Sequence, residues 1–221
     1  MSTQILIIGV GGIGSLLTEH VTRAIAFSGL NEQADNLEIT LMDGDVVELR
    51  NLPHQQFDHQ DLSTHKVVAT KHRIGTAGLT SVSGINVIAV AENFSNKTDL
   101  SMYDLVIVAV DREEPRNIVH LNAKQWLDLR ARGDGFVMWS HQDDLHVLNS
   151  LPKLPVGTST SCQLEGAVQN GNIQFGFALA AAHGAQWVVQ WLRGASTPSG
   201  KMYSIHMGEL PLPETIQELI E

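Results

Sequence analysis

Gln4-Ile5-Leu6-Ile7-Ile8-Gly9-Val10-Gly11-Gly12-Ile13-Gly14-Ser15 decides the fold. Its apolar start ends at a glycine, as a buried parallel strand does. Glycines at 9, 11 and 14 let the chain turn sharply into a helix while its backbone approaches a ligand. From Ser15 to Phe27 the residues Leu16, Leu17, Val21, Ala24 and Ile25 share one helical face, and Ser28-Gly29 stops it. The start of that helix offers free amides and partial positive charge to a phosphate. The loop lacks the Gly-Lys-Ser/Thr ending of a P-loop. By itself it fits a nicotinamide or flavin enzyme as well as any other nucleotide binder.

Working outward, Leu37 to Met42 reads as a second strand with acidic residues beyond its end. Val46 to Gln60 has no clean period and reads as irregular. Asp61 or Ser63 would cap a helix running through Lys66 to about Ile74. Gly75 to Gly84 reads as a connection, Ile85 to Ala91 as a third strand and Leu105 to Val110 as a central one. Pro115 opens a helix expected to reach about Arg130, ended by Gly133-Asp134-Gly135. Phe136 to Ser140, Leu145 to Leu148 and Met202 to Met207 read as further strands, and Asn172 to Arg193 as a helix. Leu151 to Gly157 is a proline-containing loop, and a short amphipathic end follows Pro213. Alternating strands and helices predict an α/β, Rossmann-like doubly wound sheet, mostly parallel, with a few antiparallel strands towards the C-terminus. One domain over residues 1–221 is the economical reading, since no repeat or linker interrupts the chain.

Composition narrows the classes. At 43% hydrophobic and 17% charged the chain reads as soluble and globular. A net charge of −10 argues against nucleic acid as a partner. The single cysteine, Cys162, excludes an intramolecular disulfide and a thiolate-rich zinc site, and fits a reducing cytoplasm. The N-terminus carries no positive charge ahead of its apolar run and reads as a strand rather than a signal peptide. The uncharged stretch Asn172 to Leu192 is long enough for a membrane span, but Gln174, His183, Gln186 and Gln190 are costly in hydrocarbon. It reads as a buried or interface helix, with no membrane partner.

Asp43 ends the second strand, where a carboxylate accepts hydrogen bonds from ribose hydroxyls, although Asp43-Gly44-Asp45 is also a good turn. Lys66 and Asp111 are candidates for the cation and the metal ligand that expelling pyrophosphate from a triphosphate demands. Singly, they would be a surface lysine and a helix-capping aspartate.

Order and spacing add a resemblance. Gly9 to Ser15 resembles the GxGGxGS loop of the ThiF/MoeB family, the adenylyltransferases related to ubiquitin-activating enzymes. Asp43-Gly44-Asp45-Val46 resembles their D-x-D-x-V, Arg50 to Gln55 their S-N-L-x-R-Q, Asp61 to Lys66 their D-V-G-x-x-K, and Asp111 to Arg116 their D-N-x-x-x-R. The match is strong over residues 4 to 120. Thr160-Ser161-Cys162 before a long helix is similar to the ThiF-like members of PRTRC-type mobile-element operons. The resemblance implies that Gly9, Gly11, Gly12 and Gly14 line the phosphates, and that Asp43 and Asp45 sit at the ribose end. It implies that Asn51, Gln55 and Lys66 hold a triphosphate and that Asp111 takes magnesium. It further implies ATP as cosubstrate, a homodimer, and a small ubiquitin-like or sulfur-carrier protein as partner, activated at its C-terminal carboxylate.

This chain departs from the pattern at several points. His54 stands at the family's arginine and Arg112 at its asparagine; the paired zinc cysteines and the helix that precedes the first strand in many relatives are absent. An imidazole at position 54 neutralises phosphate only when protonated, so a triphosphate is expected to raise its pKa. Cys162 is a candidate acyl-accepting nucleophile, and a structural thiol is the competing reading. His54, His59, His65 and His72 match no helical ligand pair and read as solvated. An NAD(P)-dependent oxidoreductase and a catalytically silent binding module stay open beside the adenylyltransferase.

Overall fold

In a computed structural model, described over residues 3–30, 36–144, 146–147 and 162–212, the first strand is central. β1 (Gln4–Ile8) is flanked by β2 (Glu38–Met42) and β4 (Leu105–Val108), both parallel to it. With β3 (Asn86–Val90), β5 (Trp126–Arg132), β6 (Gly135–Ser140), β7 (Lys201–Ser204) and β8 (Gly208–Leu210) they form one eight-stranded sheet, in the order β3-β2-β1-β4-β5-β6-β7-β8. The pairs from β3 to β5 are parallel and those from β5 to β8 antiparallel. This is the expected doubly wound, mostly parallel sheet with its antiparallel end.

Both faces of β1 are covered, which is why its residues are apolar without alternation. Ile5 and Ile7 pack in one core with α1 (Gly12–Phe27), α2 (Lys66–Thr76), α3 (Leu79–Ser83) and α5 (Gly176–Leu192). Leu6 and Ile8 pack in another with Val106, Val108, Trp126, Trp139 and Val119 of α4 (Glu113–Asn122). The uncharged α5 buries Phe177, Ala180, Ala181, Gly184, Ala185, Trp187 and Val188, chiefly against α1 and the β5–β6 pair. Among the described residues no helix is long and apolar enough to cross a membrane.

Several boundaries differ from the sequence reading. The helix opened at Pro115 stops at Asn122, and Trp126–Arg132 is a strand. Its period of two is disguised because Asp128 is fully buried on the same side as Trp126, in a cluster with Arg116, Arg130 and His120. The connection after α2 contains α3, bracketed by left-handed Gly78 and Gly84. Neither Asp61 nor Ser63 caps α2: His65 precedes it without a side-chain cap, and Asp61 pairs with Arg73 at 3.3 Å. α5 begins only at Gly176, because Gln163 ties the Gln174 backbone from both sides at 2.6 and 2.9 Å. His146 and Val147 are helical rather than extended, while Leu145 and Leu148 lie outside the described residues. The last strand expectation splits into β7 and β8 around a turn. The expectations for 151–161 and for the end after Pro213 lie outside the described residues.

The β1–α1 turn is the tightest point. Gly9 has φ +88, and a Cβ on Gly14 would meet the Gly9 carbonyl oxygen at 1.9 Å. Gly14→Ala is therefore expected to destabilise the chain by about 3 kcal/mol or more in urea unfolding. Gly75→Ala, in α2 with nothing within 4 Å of the added carbon, should stabilise by about 0.5–1 kcal/mol.

Candidate functional site

Where the central parallel strands end, the chain leaves a cavity of about 460 Å³. Its walls come from the segments singled out in sequence: Gly9, Gly11, Gly12, Asp43, Asp45, His54, Gln55, Lys66, Asp111 and Cys162 all line it. Gly14 does not, since its work is the contact with Gly9. Asn51 also lies outside, facing a smaller recess with Glu48, Arg50 and Lys66.

Each side chain arrives by a local device. The first turn of α1 starts at Gly12 with no side-chain cap and no acidic residue, and Gly11, Gly12 and Ile13 line the cavity, so the positive end of the helix meets it. Asp43 accepts from the Val10 amide at 2.7 Å and from the Asp45 amide at 2.8 Å, pinning the glycine loop to the end of β2. Burial outweighs those bonds and raises its carboxyl above the usual range. Lys66, the first residue of α2, is 7% exposed, and its Nζ reaches Asp45 at 2.9 Å. The Lys66 amide also donates to the Asp45 carbonyl at 3.0 Å, and Val46 bridges His65. The two ends of the irregular loop are thus stitched together beside the cavity.

Within that loop Asn51 is structural. It is buried, its Oδ1 accepts from the Glu48 amide at 2.9 Å, and its carbonyl accepts from the amides of His54 and Gln55. Gln55 stands over Gly11, with Oε1 buried and unpartnered among the described residues. An unmet buried polar atom costs about 1–3 kcal/mol, so this amide is poised for a polar ligand.

His54 is desolvated in the wall of the ligand-free cavity. It is 8% exposed, lies edge-on to Phe177 and has a buried Nδ1 without a partner. Burial first and Lys66 second push its pKa below 6.5, so the ligand-free ring is neutral at neutral pH. Cys162 lines the cavity, but burial pushes its thiol above 9.0, which leaves the protonated form at neutral pH and disfavours a resting nucleophile. Asp111 is exposed at the mouth. Among the described residues no group of three or more His, Cys, Asp or Glu could hold a metal ion.

The sequence placed Arg112 and Arg116 only within a motif and did not point to Arg130 and Arg132 as cavity residues. Arg116, Arg130, Arg132 and Arg112 all line the cavity beyond Asp111. Arg116 is bound to Asp128 and to the carbonyls of Val110 and Leu129. Burial first and repulsion from Arg130 second lower its pKa to about 9, against the pull of Glu113 and Asp111. Arg130 spans Asp128 at 2.7 Å and Glu113 at 2.8 Å. Arg112 and Arg116 follow Asp111 in the chain, whereas the pairing of β5 with β4 brings Arg130 and Arg132 to the same cavity.

The sequence matches the ThiF family over residues 1–214. A search of curated protein sequences finds no match. Among solved structures, the microcin C7 biosynthetic enzyme MccB in complex with N-formylated MccA superposes with TM-score 0.67 at 19% identity, over 96% of this chain and 65% of that one. E. coli MccB with ATP gives 0.62 at 19% identity, over 97% and 65%. PaaA gives 0.58 at 16% identity, over 96% and 65%. The chain thus spans about 65% of the length of each, and the likeness is one of fold.

His54 makes a pH prediction. Because its folded pKa lies below 6.5, its contribution is complete above that value and is lost as pH falls through the window beneath it. The urea midpoint should drop between about pH 7 and about pH 5.5 in the natural chain and drop less in His54→Gln. Equal slopes would show that another group titrates.

Proposed function

The chain belongs to the ThiF family, and from that premise we propose that it is an ATP-dependent adenylyltransferase. Its substrate would be the C-terminal carboxylate of a small ubiquitin-like or sulfur-carrier protein or peptide. What carries the reading is the joining, in one cavity, of the uncapped α1 N-terminus, buried Lys66 and Asp111. A dinucleotide's pyrophosphate needs only the helix N-terminus, whereas a triphosphate also calls for a cation such as Lys66. MccB solved with ATP and with MccA has the same fold, which agrees with a nucleotide and a peptide-like partner here.

In this reading the Gly11–Gly12 amides and the Gln55 Nε2 group donate to phosphate oxygens, and Asp43, already holding Val10, accepts from the ribose on its remaining lone pairs. Lys66 exchanges Asp45 for the triphosphate. A carboxylate oxygen of the substrate attacks the α-phosphorus, the bond to the bridging oxygen breaks and pyrophosphate leaves, giving an acyl adenylate. Neutral His54 donates a hydrogen bond where the family's arginine would supply charge, and a triphosphate must overcome burial and Lys66 to protonate it. Asp111 would be the residue to hold a magnesium ion, which would supply charge neutralisation for the leaving pyrophosphate. Catalysis is then orientation and charge neutralisation.

The single-domain, cytoplasmic protein expected from sequence belongs to the same proposal. A homodimer would have to use a surface other than the apolar stripe of α5, which is covered by α1 and the sheet.

ATP with magnesium should raise the melting temperature by mass action more than ATP alone, and NADH should leave it unchanged. Asp111→Ala should remove the extra effect of magnesium. With a carrier tail supplied, Lys66→Ala should cut ATP–pyrophosphate exchange by about 10²–10³. ATP binding without exchange for any carboxyl tail would leave a nucleotide-binding module instead.

A further inference from the structure

Past the end of β4 the cavity runs over the antiparallel half of the sheet. One cross-strand row contributes Arg130, in register with Val137, Val137 with Met202 and Met202 with Leu210, all four lining the cavity, and the alternate row contributes Ala131, Phe136 and Tyr203. In-register neighbours share a sheet face. Two residues further along β5, Arg132 is in register with Gly135, followed across the sheet by Ser204 and Gly208. Of that row only Arg132 and side-chain-free Gly135 line the cavity, which leaves a short trough beside Arg132 with the apolar strip alongside.

The charges over this trough are uneven. Arg116 and Arg130 are held by Asp128 and Glu113. Arg112 and Arg132 are exposed and have no ion pair or side-chain hydrogen bond among the described residues. Exposed arginines would be ordinary on a basic protein. This chain has a net charge of −10 and 14 lysines and arginines, yet Lys66, Arg112, Arg116, Arg130 and Arg132 line this cavity against Asp43, Asp45, Asp111 and Glu113, of which Asp45 is paired with Lys66 and Glu113 with Arg130. The phosphate end is already served by α1, Gln55 and Lys66, on the other side of Asp111. Two unmatched guanidinium forks over an extended, partly apolar floor call for carboxylates on an extended chain.

We propose that this arm binds an acidic peptide segment. Resting on the adenylation reading, it is the stretch just before the substrate's reacting carboxylate, carrying Asp or Glu side chains that meet Arg112 and Arg132. A tail of glycines alone would leave both arginines unmatched and the Val137–Met202–Leu210 strip bare.

The test uses two fluorescein-labelled synthetic hexapeptides with free C-termini, Ala-Ala-Glu-Glu-Ala-Gly and Ala-Ala-Gln-Gln-Ala-Gly. Each is titrated with the full chain, with and without a non-hydrolysable ATP analogue, and followed by fluorescence anisotropy. The acidic peptide should bind about tenfold tighter, as one or two charge-assisted contacts allow, and the difference should shrink as salt shortens the Debye length. Arg112→Glu and Arg132→Glu should each reduce the preference while leaving the glutamine peptide's affinity unchanged. Equal affinity of the two peptides, undetectable binding of both, or a preference surviving in the double variant would overturn the proposal. ATP-induced thermal stabilisation, measured in parallel, keeps the two readings apart. Stabilisation without acidic preference removes only this arm's role, and acidic preference without stabilisation removes only the adenylation reading.

Discussion

The close approach of Gly14 to the Gly9 carbonyl constrains everything around it. At that separation no side chain fits between the end of β1 and the first turn of α1, so the helix starts directly over the strand's end. Asp43 then reaches across from β2 to hold the Val10 amide at 2.7 Å. These two contacts aim the α1 N-terminus at the ends of the parallel strands, where a cavity must form because the loops diverge to either side. The carboxylate that braces the loop also lines the cavity, so bracing and the proposed ribose contact depend on the same buried group.

A second constraint acts on the far wall. Asp128, with no exposure, gathers Arg116, Arg130 and His120 from α4 and β5. Removing one partner from such a cluster leaves a buried charge uncompensated, at a cost of about 3–5 kcal/mol. Arg116 also holds the Val110 carbonyl, one residue before Asp111. The cluster thereby connects the course of the chain out of β4 with the direction in which β5 presents Arg130. The cavity has a polar, rigid hinge between its phosphate end and its arginine end.

The loop from Asp45 to Lys66 shows why motif order was informative while roles were less so. Asn51, Gln55 and Lys66 all sit where the spacing placed them, but they divide the work. Asn51 folds the loop, Gln55 is left with an unmet buried oxygen, and Lys66 is desolvated against Asp45. His54 occupies the arginine position with different physics, because a ring that loses water beside a lysine favours its neutral form. Residue type alone does not report desolvation.

The sequence by itself determined the glycine turn, the central strands and the order of the cavity's nucleotide-side segments. These are local properties: backbone freedom at Gly9 and Gly14, unbroken apolar runs in β1 and β4, and acidic residues at strand ends. The tertiary structure decided what rests on partners distant in the chain. Trp126–Arg132 became a strand because β4 and β6 flank it and Asp128 finds its cations there. The α5 stripe became core because α1 lies against it. The cross-strand row under Arg130 exists only once β5 to β8 pair, since register and long-range burial are settled by which surfaces meet.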